Sequence, residues 1–152
     1  MNNDYQINLM SNDFYNNYPP SLYPEIEAKQ TRPFLVLIIK IEGNTFAIPF
    51  RSNIRHNFCY KFKNSRRKTG TKTALDFTKA VIISDLKYIG VSAKIDHYEY
   101  VELSSKSTFI INKFRSFLKK YKRVIHNPTK YQHDYNVLSK YCTLKYFTDF
   151  LK

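Results

Sequence analysis

The sequence has no tryptophan, three glycines and two cysteines, and each scarcity closes off a class of chemistry. Three glycines leave no G-x-G-x-x-G and no P-loop, so no standard nucleotide-cofactor cradle is expected. Cys59 and Cys142 lie far apart and form no C-x-x-C pair, which excludes a disulfide framework and fits a reducing compartment. His56, His97, His126 and His133 are scattered without ligand spacing such as H-E-x-x-H, so neither a metal site nor any cofactor is expected. No apolar run approaches the roughly 18 residues of a membrane span, and the longest, PFLVLII at 33–39, is strand-length. The segment MNNDYQINLM carries no Lys or Arg and no apolar stretch of the kind a secretory signal needs; a cytoplasmic protein without membrane association is expected.

What the sequence does have is positive charge. Against 12 Asp and Glu stand 25 Lys and Arg, a net charge of +13 over 152 residues, which points to an anionic partner and first of all to nucleic acid. The surplus is segregated. Residues 1–28 hold Asp4, Asp13, Glu25 and Glu27 and no base, whereas 43–75 hold no acid and eight bases: Arg51, Arg55, Lys61, Lys63, Arg66, Arg67, Lys68 and Lys72. A second basic region, 112–152, sets ten bases against Asp134 and Asp149. Segregation of this kind creates a local potential that concentrates phosphates. Twelve Phe and thirteen Tyr accompany it; interleaved with cations such rings stack on unpaired bases, although burial in a core is the commoner use of so much aromatic area.

The length suits one domain, and an apolar content of 43% suffices for a packed core. Residues 1–31 read as an N-terminal arm, with a short helix or loop at 10–17 before the turn-rich NNYPPSLYPE. PFLVLIIKI (33–41) reads as a buried strand, Glu42-Gly43-Asn44 as a tight turn, and TFAIPF (45–50) as the returning strand, ended or placed at an edge by Pro49. A long basic loop follows at 51–73, with a short strand at 58–62. Further strands are expected at 79–84, 86–90 and 94–103, completing a sheet region at 32–103. Over 107–152 the period changes. Ile110, Phe114, Phe117, Leu118, Tyr121 and Ile125 fall at helical spacing, Pro128 stops that helix, and Tyr131, Tyr135, Leu138 and Cys142 begin a second. Strands first and helices after predict an α+β fold, a compact single domain with a twisted antiparallel sheet and peripheral helices, two of them C-terminal.

One segment gathers the residue types of phosphate chemistry. FAIPFRSNIRHN (46–57) offers Arg51, Ser52, Arg55, His56 and Asn57, with Lys61 just beyond. Cleavage of RNA without a metal needs an activated 2′-OH, a proton for the departing 5′-oxygen, and cations on the non-bridging oxygens as charge builds. Arginine forks match phosphate oxygens, a serine hydroxyl hydrogen-bonds a phosphate or a 2′-OH, and histidine is the side chain that titrates near neutrality. Each residue also has a plainer use. Arg51 can pair with Glu42 or Asp76, His56 can be a hydrogen-bonded structural histidine, Ser52 can cap a turn, and NSRRKTGTK (64–72) can be a solvated loop tip. No Asp or Glu lies at triad spacing to orient Ser52 and His56.

The block RPFLVLIIKIEGNTFAIPFRSNIRHNFCYKFKNSRRKT (32–69), continuing into ALDFTKAVII (74–83), resembles the toxins of type III toxin–antitoxin systems. The resemblance is to the TenpN toxins of the TenpIN family, within the wider ToxN/AbiQ group; it runs from about residue 14 into the first C-terminal helix and is strongest over 32–90. It rests on a combination: a buried strand, a glycine turn, a short strand with a proline near its end, then the Arg-Ser and His-Asn segment. The resemblance implies a ToxN-like fold and a cytoplasmic endoribonuclease of bacterial or phage-defence origin. Such an enzyme cuts cellular or phage RNA without metal, through 2′-OH attack that leaves a 2′,3′-cyclic phosphate. It implies inhibition by a small pseudoknot RNA antitoxin, which the toxin itself processes, and assembly of toxin and RNA into a closed hetero-oligomer.

Position by position, Ser52 matches the serine of the wider group's Thr-Ser pair, and Arg51 stands where that group has threonine. Arg32 takes the place of a lysine before the first strand, and Ile54 that of a lysine two residues after the serine, with Arg55 beside it. Arg51, Ser52 and His56 are therefore the expected catalytic centre. Arg32, Arg55, Asn57, Lys61, Lys63, Arg66, Arg67, Lys68 and Lys72 are the expected RNA contacts, joined by Lys113 and Lys120 from the helix at 110–125 to form a groove. A non-catalytic RNA-binding protein using the same groove, and a DNA-binding regulator inserting that helix into a major groove, are the alternatives.

Overall fold

The continuous apolar run at 33–41 forms the strand around which the sheet is laid. In the computed structural model, which describes residues 5–26, 34–64 and 73–151, it becomes β2 (Leu35–Ile41), returning as β3 (Asn44–Ser52). The connection has two residues, Glu42 at φ 51° and Gly43 at φ 83°, so both central positions are left-handed, as a turn matched to strand twist requires. The register Ile39↔Phe46, Leu37↔Ile48, Val36↔Pro49 sets apolar side chains opposite one another.

The remaining strands are β1 (Tyr5–Met10), β4 (Cys59–Lys61), β5 (Thr73–Asp76), β6 (Val81–Ile82) and β7 (Ile89–Ser92), and all pairings are antiparallel. The order is β4-β5-β3-β2-β1-β7, with β6 also on β3. The α+β architecture is thus as the sequence predicts, an antiparallel sheet with peripheral helices. No helix among the described residues is long and apolar enough to cross a membrane.

Several boundaries differ from the sequence reading. The arm 1–31 carries β1, an interior strand between β2 and β7, before the helix α1 (Asn12–Asn17). Pro49 neither ends β3 nor sits at an edge. It falls between the partners of β3, since β6 pairs with Phe46 and Ala47 and β5 with Phe50 to Ser52. A missing N–H is tolerated in that gap. Residues 86–90 divide into a 3₁₀ turn (Leu86–Tyr88) and the start of β7.

The expected strand at 94–103 is helical. The Asp96 carboxylate accepts hydrogen bonds from the backbone N–H groups of Tyr98 and Glu99, both at 3.2 Å, and starts α2 (His97–His126). This helix bends at Lys106 (φ −117°, ψ 18°), where the Ser105 hydroxyl donates to the carbonyl of Glu102 at 3.1 Å. Serine back-bonding of this kind bends helices. α2 stops two residues before Pro128, and α3 (Gln132–Tyr141) gives way at Cys142 to a 3₁₀ segment, Thr143–Phe147.

The core lies where α2 crosses the sheet. Phe114 meets Phe46 and Phe77 edge-on at 5.1 and 5.2 Å, and Phe117 reaches Phe58 and Phe77. Truncating the fully buried rings Phe46, Phe77 and Phe114 costs about 3–5 kcal/mol each. That packing fixes the end of β3, the edge strand β4 and α2 as one rigid corner.

Candidate functional site

The corner is organised by a carboxylate that spacing along the chain does not reveal. Asp76, the first acid after the acid-free window, ends β5 and is 1% exposed. Its Oδ1 accepts from the Thr78 backbone N–H at 3.0 Å and from the Thr78 hydroxyl at 2.6 Å, and its Oδ2 accepts from Arg51 Nη1 at 3.1 Å. His56 Nε2 lies 3.3 Å from Oδ1. Burial alone would raise the pKa of this carboxyl. The hydrogen bonds from His56 and Thr78, with the charge of Arg51, outweigh burial and hold it below the ordinary carboxylate value.

His56 is fixed at both ring nitrogens. Nδ1 accepts the Phe58 backbone N–H at 3.1 Å, so the neutral ring carries its proton on Nε2, facing Asp76. An imidazole oriented by a carboxylate, with the opposite nitrogen basic, is the arrangement of a general base held by a third group. Here that basic nitrogen is covered by Phe58 N–H.

Beside this cluster the strand register builds a basic floor. Ala74 of β5 is opposite Arg51 of β3 on one side and Lys61 of β4 on the other. The two cations therefore flank a methyl group across three strands, with backbones about 10 Å apart. After β3 the chain turns at Asn53, which has φ 61°, a left-handed conformation that asparagine tolerates better than most residues. The turn carries Arg55 back over the floor. Asn53, Ile54, Arg55, Lys61 and Ala74 line an open cleft of about 230 Å³, whose lining has two cations and no carboxylate.

The expected catalytic trio is only partly brought together. Arg51 and His56 meet through Asp76. Ser52 is exposed, and because successive side chains of a strand leave opposite faces, it lies on the side of Phe50 and Leu75, away from Arg51. Arg55, Asn57 and Lys61 are exposed at the corner. Arg32, Arg66, Arg67, Lys68 and Lys72 lie outside the described residues.

The remaining expected contacts follow α2. Lys63 is exposed, and its backbone is tied to Glu102, which is 2% exposed on α2. The Glu102 carboxylate accepts the N–H groups of Lys63 (2.9 and 3.1 Å) and Asn64 (2.8 Å) and the Tyr60 hydroxyl. Burial works against this carboxylate, yet these hydrogen bonds and the charge of Lys106 keep its pKa below the ordinary value; the Tyr60 hydroxyl is pushed up by burial and by Glu102. Lys113 Nζ stands 5.8 Å above the Tyr60 ring and Lys120 Nζ 5.2 Å above Phe58. Lys120 also lies 3.3 Å from the Asp134 carboxylate. Burial raises the pKa of both thiols, Cys142 to about 12, so neither is suited to act as a nucleophile.

Asp76, Glu102 and Ala74 are the site residues that the sequence reading does not assign. Asp76 enters it only as an alternative partner for Arg51. Its one sequence signal is position: it closes the acid-free stretch. No family model, curated protein or solved structure matches this chain.

Proposed function

We propose that this protein is a metal-independent endoribonuclease, the toxin of a type III toxin–antitoxin system, acting on cytoplasmic RNA and inhibited by a small pseudoknot RNA. The observation that carries the reading is the acid-free cleft on Ala74, walled by Arg55 and Lys61, next to a carboxylate-held His56. The resemblance of residues 32–90 to TenpN-like toxins supplies the reaction class.

In this reading a phosphodiester lies across the floor, its non-bridging oxygens toward Arg55 and Lys61, with Arg51 held ready by Asp76. The 2′-oxygen attacks phosphorus, the bond from phosphorus to the 5′-oxygen breaks, and a 2′,3′-cyclic phosphate remains. The 2′-OH proton passes to His56 Nδ1 once Phe58 N–H releases it, and the 5′-oxygen takes up a proton from solvent water as it leaves. Cations preorganised along the cleft stabilise the charge that accumulates on the phosphorane. An antitoxin RNA occupying the same floor would block the reaction, which accounts for inhibition by RNA.

The covered Nδ1 favours a second reading, an RNA-binding protein that does not cut. Incubation of the purified protein with RNA in EDTA separates the two. Cleavage to fragments ending in 2′,3′-cyclic phosphate supports the nuclease. Intact RNA that is nevertheless bound supports the second reading.

A further inference from the structure

Residues 103–133 form a second acid-free stretch, with Lys106, Lys113, Arg115, Lys119, Lys120, Lys122, Arg123 and Lys130. Most of α2's large apolar side chains in this stretch are buried, among them Ile110, Phe114, Phe117, Leu118, Tyr121 and Val124. Phe109 is the exception. It is 58% exposed, just past the bend at Lys106, and its ring pairs in a T-shape with the buried Tyr60 ring, the two centroids 6.2 Å apart.

Lys106 and Lys113 stand three residues before and four after Phe109, on the same stripe of the helix. Lys106 Nζ stands over the Phe109 ring, 5.9 Å from its centre, and Lys113 Nζ stands over Tyr60. The nearest carboxylate on this stripe, Glu102, is buried and turned inward to Tyr60 and the backbone of residues 63 and 64. The same bonds hold Tyr60 and the start of the basic loop against the helix.

We propose that Phe109 is a stacking platform for an unpaired RNA base, with the flanking phosphates on Lys106 and Lys113. A lone exposed ring between two cations, with no carboxylate facing outward, suits a nucleobase between two phosphates. A duplex keeps its bases stacked on one another and gains nothing from the ring. The platform makes the α2 seam selective for single-stranded segments, such as unpaired stretches of a substrate or a loop of a folded RNA. The inference rests on the reading of this protein as an RNA binder.

The test uses 2′-O-methyl oligoadenylate, which lacks the attacking hydroxyl and stays intact, alongside the corresponding 2′-O-methyl duplex. Affinities of wild type, Phe109→Ala and Phe109→Tyr are measured by fluorescence anisotropy at one fixed salt concentration. Phe109→Ala is expected to bind the single strand about tenfold more weakly, with Phe109→Tyr close to wild type and duplex binding unchanged. Thermal melting shared with wild type confirms that the ring, being largely exposed, is not needed for folding. Single-strand affinity of Phe109→Ala within twofold of wild type, or equal losses for strand and duplex, overturns the platform while leaving RNA binding in place. A wild-type protein that binds neither probe overturns the RNA reading itself, and the platform with it.

Discussion

The Nε2 of His56 lies 3.3 Å from Oδ1 of Asp76, a contact that makes one ring serve both the fold and the cleft. Asp76 is buried and takes hydrogen bonds from residues on three segments, so it ties β3, the turn after it and the end of β5 together.

Replacing Asp76 with Asn leaves the shape and removes the charge. The partners then face a neutral amide of which one end donates rather than accepts. The variant is expected to lose about 1–3 kcal/mol of stability, read as a lower urea midpoint. An unchanged midpoint would show that the cluster contributes nothing to the fold.

The same carboxylate sets an acid limit. Aspartate in an unfolded chain titrates near pH 3.9, and Asp76 in the folded protein titrates lower. On acidification the unfolded chain therefore takes up this proton first. The stabilisation from Asp76 is full above about pH 4 and is lost as pH falls through the folded value. Glu102, also held below its ordinary value, adds to the effect with the same sign. Urea midpoints from pH 7 downward should fall steeply below about pH 4 in the wild type and less steeply in Asp76→Asn. Parallel profiles would contradict the assignment.

Arg51 and Ser52 are neighbours on β3 that face opposite sides of the sheet. Arg51→Ala, which removes a cation beside the cleft, should lower the rate of RNA cleavage at least tenfold. Ser52→Ala should stay within about threefold of wild type, since the lost hydroxyl points away from the floor. Initial rates on one labelled RNA decide the matter, and a collapse of activity in Ser52→Ala would place the reacting groups on the other face.

Glu102 anchors the start of the basic loop through the N–H groups of Lys63 and Asn64. Glu102→Ala leaves those donors and the Tyr60 hydroxyl without their acceptor, at a cost of about 1–3 kcal/mol. Limited trypsin digestion should then cut after Lys61 or Lys63 several-fold faster than in the wild type. Equal digestion rates would show that the carboxylate does not hold this segment.

The parts of the fold legible in the sequence are those governed by local apolar pattern. The run at 33–41 and the helical spacing of Ile110, Phe114, Phe117 and Tyr121 both mark elements that the structure contains. At 94–103 the pattern misleads because burial there is inverted. Glu99 and Glu102 are buried, whereas Tyr98, Tyr100 and Val101 are about half exposed, so the apolar residues do not trace the inner face. β1 is hidden for a related reason: it buries Asn8, whose side-chain amide donates to the Gly90 carbonyl at 3.0 Å across the sheet. The cleft's position on the chain was visible as a concentration of bases, but its geometry was not. Asp76 reaches His56, and Ala74 comes between Arg51 and Lys61, only through the register of β5 with strands on either side. Pairings of that kind join distant parts of the chain and leave no mark in local spacing.

The most direct test of the account is RNA cleavage in EDTA by the wild type and by Arg55→Ala/Lys61→Ala, which removes both cations lining the cleft. The wild type should yield fragments ending in 2′,3′-cyclic phosphate, and the double variant, melting like the wild type, should cut at least a hundredfold more slowly. Cleavage by the double variant at the wild-type rate, or no cleavage by the wild-type protein, would contradict it.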